Sequence, residues 1–167
     1  MGSWTLLEER APEIAAAGRG LFDQHGLAYL ATTRADCSPR LHPVVPILAD
    51  GELFVAIGDW SPKWRDLRRD HRCVLHALPG ARDDEFALRC RAEDAPESIE
   101  TVRAEATHTI HDDDHIVRLD IDQADHGWWE HVGEPGTYPV RWRWTPARGP
   151  ERRQAGRQSG GQHDQPT

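Results

Sequence analysis

The run from Arg40 to Gly58, RLHPVVPILADGELFVAIG, constrains the chain most. Asp50-Gly51 separates two apolar segments, and Asp-Gly favours a two-residue turn whose left-handed backbone suits the twist of paired strands. The spacing predicts a hairpin in which Leu48 faces Leu53, Pro46 faces Val55 and Val44 faces Ile57. Strand side chains alternate between faces, yet apolar residues fill both faces of this ribbon. It must be covered twice, by its own core and by something else such as a partner subunit or a ligand.

A second hairpin checks itself. RCVLHAL (72–78) and EFALRCRAE (85–93) flank a Pro-Gly loop. With Leu78 opposite Glu85, Ala77 meets Phe86, Leu75 meets Leu88 and Cys73 meets Cys90, so both apolar sets share one face. Upstream, PEIAAAGRGLFDQHG (12–26) sets Ile14, Ala17, Leu21 and Phe22 on one helical stripe, with Pro12 in the first turn and Gly26 as the stop. LAYLATT (27–33) reads as a strand, Arg34–Pro39 as a turn and 40–48 as the next strand. A further helix spans 96–106, with Ile99, Val102 and Ala106 inward. HIVRLDID (115–122), HGWWEHV (126–132) and YPVRWRWTP (138–146) read as three further strands. In the last of these, Trp142 and Trp144 alternate with Arg141 and Arg143, giving one aromatic and one cationic face.

Seven or eight short strands, joined mostly as hairpins, imply a mainly β chain with short helices: a small antiparallel barrel plugged by helices. Helices do not alternate with strands, and neither GxGxxG nor GxxxxGK[ST] occurs, which disfavours a parallel nucleotide-binding sheet. At 167 residues the chain suits a single domain over 1–146. The remainder, 147–167, is rich in Gly, Gln and Arg and is expected to be a disordered basic tail.

Composition removes several functions. The net charge is −8, with the acids concentrated before the Arg-rich end, so broad nucleic-acid binding is disfavoured. No apolar run reaches the length of a membrane span, and the first residues lack a secretory pattern, so a cytoplasmic location is expected. Three cysteines, odd in number and widely spaced, offer neither a disulfide scaffold nor a CxxC zinc site, and Cys73 and Cys90 are expected to remain thiols. His108, His111 and His115 flank Asp112–Asp114, but their spacing fits no standard zinc motif and reads as a polar loop.

The sharpest local chemistry is Ser61-Pro62-Lys63, at the start of a short helix after the strand ending at Gly58. Ser61 can cap, Pro62 suits the first helical position, and Lys63, the only lysine, stands beside the helix start, where an anion is favoured. Arg65, Arg68 and Arg69 add charge within two turns, and Arg40 can reach the same region. A capped surface helix with solvated arginines explains the same residues.

The ordered set LATTRADCSPRLHPV (30–44), DGEL (50–53), SPKWRDLRRDHR (61–72) and Leu75-His76 resembles the pyridoxamine 5'-phosphate oxidase-like superfamily of FMN-binding split β-barrels. The resemblance implies a homodimer with two flavin-type cofactors between the subunits. It places Ser61 and Lys63 on the cofactor phosphate, with Arg40 and Arg68 or Arg69 in support. Pro43, Val44 and Val45, with Ala56, Ile57 and Gly58, match the segments on which the flavin ring rests. Related subfamilies use a deazaflavin coenzyme or bind haem. The family's chemistry is mainly the cofactor's, so no catalytic side chain is nominated. His42, nearest the ring region, reads first as a hydrogen-bonded structural histidine.

The chain departs from the pattern at Cys37, where members carry Gly, at His71, where Pro is common, and at the bulky Trp60 and Trp64, which could narrow or fill the site. It also lacks the C-terminal signature of true pyridoxamine phosphate oxidases, which argues against vitamin B6 synthesis. The expected activity is flavin-dependent oxidoreduction, passing hydride between FMN or the deazaflavin coenzyme and a small organic substrate. The rival is a non-catalytic flavin- or haem-binding module on the same fold.

Overall fold

The computed structural model describes residues 2–81 and 83–154. Two helices open the chain, α1 (Trp4–Arg10) and α2 (Pro12–His25). The sequence reading missed α1. Its signal is Ser3, whose hydroxyl accepts the Leu6 amide at 3.0 Å and caps a turn that buries Trp4 and Leu7. α2 ends as expected, at Gly26 in the left-handed conformation. It crosses the sheet so closely that a Cβ on Gly18 would stand 2.3 Å from the Phe86 ring. Trp4, Phe22 and Phe86 meet beneath it with centroids 5.6–6.2 Å apart.

The sheet comprises β1 (Ala28–Thr33), β2 (Pro39–Val44), β3 (Ile47–Ala49), β4 (Glu52–Gly58), β5 (Arg72–Ala77), β6 (Glu85–Asp94), β7 (Asp114–Glu130), β8 (Tyr138–Thr145) and β9 (Gly149–Gln154). All pairings are antiparallel, in the order β2-β1-β5-β6-β7-β4-β3, with β8 and β9 added beyond β7. The path does not close. β7 is the spine: β6 follows one edge, while β4 takes residues 114–118 of the other edge and β8 takes residues 124–130. Gly2 fills the gap between them, exchanging two backbone hydrogen bonds with Ile121.

The Asp-Gly turn forms with both residues at positive φ, and Leu48 pairs with Leu53. The long hairpin expected beyond it does not form. Val44 pairs with Ala28 rather than Ile57, and the β3–β4 ladder stops at Ile47–Phe54, so Pro46 does not meet Val55, which pairs with Val117 of β7 instead. Proline has no N–H to give a ladder, and Pro46 marks where the chain leaves β2 and changes neighbour. One surface of the ribbon therefore serves two different strand pairs. The second hairpin has the expected register, Leu75 to Leu88 and Cys73 to Cys90, and both thiols are buried and free.

Two strands expected at 115–122 and 126–132 are one, β7, because Gln123, Ala124 and Asp125 continue the ladder to β6 after a bulge. Trp142 and Trp144 face the core while Arg141 and Arg143 pair outward with Glu85 and Asp125, as the alternation predicts. The tail expected from 147 is corrected at its start. Residues 149–154 form β9, returning after Gly149 at φ +71° to pair with β8. Backbone hydrogen bonds, not apolar side chains, hold this strand, so composition gave no sign of it. Residues 155–167 lie outside the described residues. A 3-10 turn (Pro96–Ser98) leads into a short helix over Ile99–Glu105 whose Val102 is buried in a second core with Phe54 and Ile116. No helix among the described residues is long and apolar enough to cross a membrane.

Candidate functional site

α3 (Pro62–Arg69) begins where β4 ends. Ser61 donates its amide to the Gly58 carbonyl at 2.8 Å and accepts the Trp64 amide at 3.1 Å, a tight turn that swings the chain from the sheet into the helix. Ser61 is the N-cap residue, but its hydroxyl makes no cap bond and its side chain is buried. Its role in starting the helix is carried by the backbone.

Asp66 anchors the helix. Its Oδ2 accepts from Arg40 Nε at 2.6 Å and from Thr32 Oγ1 at 3.0 Å, and its Oδ1 lies 3.6 Å from Arg69. Arg69 also donates to the Thr33 carbonyl. Burial pushes the Asp66 carboxyl up, but hydrogen bonds from Arg40 and Thr32 and the charges of Arg40 and Arg69 together draw it below its ordinary value. The network ties α3 to β1 and β2, so the positions of Arg40 and Arg69 are fixed by a charge within the protein. Sequence reading nominated both arginines and missed Asp66. Its signal was an acid three residues before Arg69 within a basic run, the spacing of a helical ion pair.

Lys63 differs from its neighbours. Burial lowers its ammonium below the ordinary lysine value, and the Arg40 guanidinium lowers it further. No carboxylate among the described residues pairs with it. His42, on the same side, is lowered by burial first and then by the charges of Lys63, Arg40 and Arg34, and so is neutral at pH 7. Lys63 and Arg40 thus set two positive charges near neutral His42 beside the start of α3, an environment an anion would relieve.

The remaining nominated residues separate by face. Val44 and Ile57 are buried in the main core, while Val45 and Ala56 pack against the second core. Pro43 is exposed, and Gly58 is half-buried. Arg68 turns away from Arg40 and Arg69 and lines a separate cleft with Trp64, His71 and Glu93. Trp64 is a core residue, stacked on His115 at 3.9 Å. His115 in turn meets Asp59 at 2.9 Å, which removes it from the His108–His111 loop. Among the described residues no group of His, Cys, Asp or Glu could hold a metal ion. Trp60 is 80% exposed, and its indole lies against Gly58, where a Cβ would stand 2.7 Å from Nε1.

No protein-family sequence profile and no curated protein sequence matches the chain. Its structure does match, and the fold is that of the pyridoxamine 5'-phosphate oxidase-related, FMN-binding split barrels. A pyridoxamine 5'-phosphate oxidase-related, FMN-binding protein from Nostoc punctiforme superposes with a TM-score of 0.60 at 13% identity, covering 87% of this chain and 96% of that one. PhzG from Burkholderia lata, in complex with tetrahydrophenazine-1-carboxylic acid, gives 0.59 at 12% identity, covering 86% and 88%. A haem-binding protein from Mycobacterium smegmatis gives 0.61 at 17% identity, covering 80% of this chain. This chain spans 58% of that protein's length.

Proposed function

We propose that the chain binds a flavin-type cofactor, FMN or the deazaflavin coenzyme, by its phosphate at Lys63 and the start of α3, and acts as an oxidoreductase on a small organic substrate. The observation that carries this reading is Lys63 itself, a half-buried ammonium next to Arg40 with no carboxylate partner among the described residues. Such a group costs the folded protein stability unless an anion meets it. When bound, the cofactor would supply the hydride chemistry. The chain's own residues orient it: Lys63 and Arg40 fix the phosphate, and neutral His42 presents a hydrogen-bonding imidazole on the same side. A membership in the pyridoxamine 5'-phosphate oxidase-like family accords with both the motif order and the fold.

The same reading makes the protein a homodimer. Leu41 and Tyr29 are 59% and 40% exposed. The register places them with Ala31, Pro43 and Val74 on the outer face of β2, β1 and β5. An apolar face of this kind suits a second copy of the chain, with the cofactor between subunits. A binding-only role, holding flavin or haem without turnover, is the second reading, favoured by the likeness to a haem-binding protein.

Absorbance and fluorescence titration with FMN and with the deazaflavin coenzyme tests the proposal. Saturable binding that Lys63→Ala weakens supports it. Failure of both to bind overturns it, and binding without turnover across a panel of electron donors and acceptors moves the protein to the second reading.

A further inference from the structure

On the side of α3 away from Arg40 and Arg69, a cleft of about 210 Å³ opens between the helix and the end of β6. Its floor is apolar: Trp64 and Leu67 from α3, Ala92 from β6 and Val117 from β7, all four members of the main core. Its rims are charged. Arg68 and His71 stand on the α3 side, where the His71 carbonyl accepts the Ala92 amide at 2.8 Å and ties the chain after the helix to β6. Glu93 and Asp94 stand on the β6 side, and the two acids differ. Glu93 is engaged by the Arg118 guanidinium. Asp94 follows Ala92 by two residues on one strand, so alternation turns it to the same side, at the mouth of the core. Arg68 and Asp94 are exposed, and neither has an ion-pair partner among the described residues. An unpaired guanidinium and an unpaired carboxylate thus stand on opposite walls of an apolar floor.

We propose that this cleft binds a small zwitterion with an apolar body, of the α-amino-acid type, with its carboxylate on Arg68, its ammonium on Asp94 and its side chain on Trp64, Leu67 and Val117. Volume sets the size of the occupant. Sites for drug-sized ligands run to about 300–1,000 Å³, so this smaller cleft excludes a dinucleotide or a flavin. Charge sets the class. A simple anion would meet Arg68 but lie against Glu93 and Asp94, and a simple cation would leave Arg68 unmet, whereas a zwitterion answers both walls. The planar fork of Arg68 suits a carboxylate. The floor sets the body, since an apolar side chain displaces water from core surface that glycine would leave wet. The site stands on the opposite side of α3 from the proposed cofactor site and does not depend on it.

The test is an NMR titration of the full chain with L-phenylalanine, following the Trp64 indole and the amides of Arg68, Ala92 and Val117. Phenethylamine and 3-phenylpropionate carry the same ring with one charge removed, and glycine carries both charges without the ring. L-phenylalanine is expected to saturate with a Kd on the order of 1 mM, as suits so small a ligand in an open cleft. The other three are expected to bind at least about tenfold more weakly. Arg68→Ala should bring L-phenylalanine down to the level of phenethylamine, and Asp94→Asn down to that of 3-phenylpropionate; both positions are exposed, so the fold is kept. Shifts that do not saturate below about 20 mM, far above the expected Kd, overturn the site. Equal affinity for the zwitterion and its singly charged analogues overturns it too, as does indifference to either substitution. Each of these results leaves the Lys63 reading standing, because titration with FMN tests that separately.

Discussion

Two clusters of buried charge in this molecule are built alike and finished differently. At the first, Asp66 receives hydrogen bonds from Arg40 and Thr32 and lies near Arg69, so its charge is fully met. At the second, Glu52 and Asp120 surround Arg118, whose guanidinium donates to Glu93 and stands 3.6 Å from Asp120. There Glu52 Oε2 and Arg118 Nε are buried without a hydrogen-bond partner. The two respond in opposite directions. Asp66 is drawn below the ordinary carboxylate value despite burial, whereas burial raises both Glu52 and Asp120, with Arg118 only partly offsetting it. Proximity of opposite charges does not by itself stabilise; the hydrogen-bond geometry that replaces lost water decides the sign. The first cluster is therefore a structural anchor, and it is the one that holds the candidate site together.

The strongest way to break the contrast is Asp66→Ala. It leaves Arg40 facing Lys63 with no counter-charge in the interior, and removing one partner of a buried pair typically costs about 3–5 kcal/mol. Urea denaturation should show a loss of that order. A loss below about 1 kcal/mol, the range of an exposed ion pair, would mean that Asp66 is no better satisfied than Glu52.

Much of this was legible in the sequence, and the limits have physical causes. The Asp-Gly turn and the Cys73–Cys90 register follow from local chemistry and the period of two, and both hold. The partner exchange at Pro46 was hidden because apolar alternation says a strand is covered twice and not by which neighbour. β9 was hidden because its stabilisation lies in the backbone. At the site, Lys63 and Arg40 were visible as charges, but the acid that organises them sits 34 residues from Thr32 and 26 from Arg40 and is one Asp in a basic run. Cys37, marked as a departure from Gly, stands at φ +65°, so the family's preference reflects a left-handed turn that this chain adopts with a side chain.

Lys63→Ala sharpens the comparison from the other side, because Lys63 belongs to the first cluster by position and to neither by pairing. Loss of one charge-assisted hydrogen bond should weaken cofactor binding by about 1.5–3 kcal/mol, roughly tenfold to a hundredfold. Stability without cofactor should hold or rise, by no more than about 0.5 kcal/mol for a half-buried site. Its lowered pKa means that the folded chain holds this proton less firmly than the unfolded one, so the unliganded protein gains by losing the charge. A variant that loses stability and affinity together would place Lys63 in the anchor instead.

The smallest effect comes from Glu52→Gln, which should stabilise the protein at neutral pH by no more than about 1 kcal/mol, since the site is only half-buried. The sign follows from linkage. The folded chain binds the Glu52 proton more tightly than the unfolded chain does, so this contribution is present below the ordinary carboxylate value and is lost as pH rises through the raised one. Asp66 does the reverse: its contribution is present above the ordinary value and is lost as pH falls through the lowered one. Denaturation midpoints followed from pH 3 to 8, a range of about five units spanning the ordinary carboxylate values, should therefore converge for Glu52→Gln and wild type toward acid. Curves that instead separate toward acid would show Glu52 to be stabilised as its anion, and the two clusters to be alike after all.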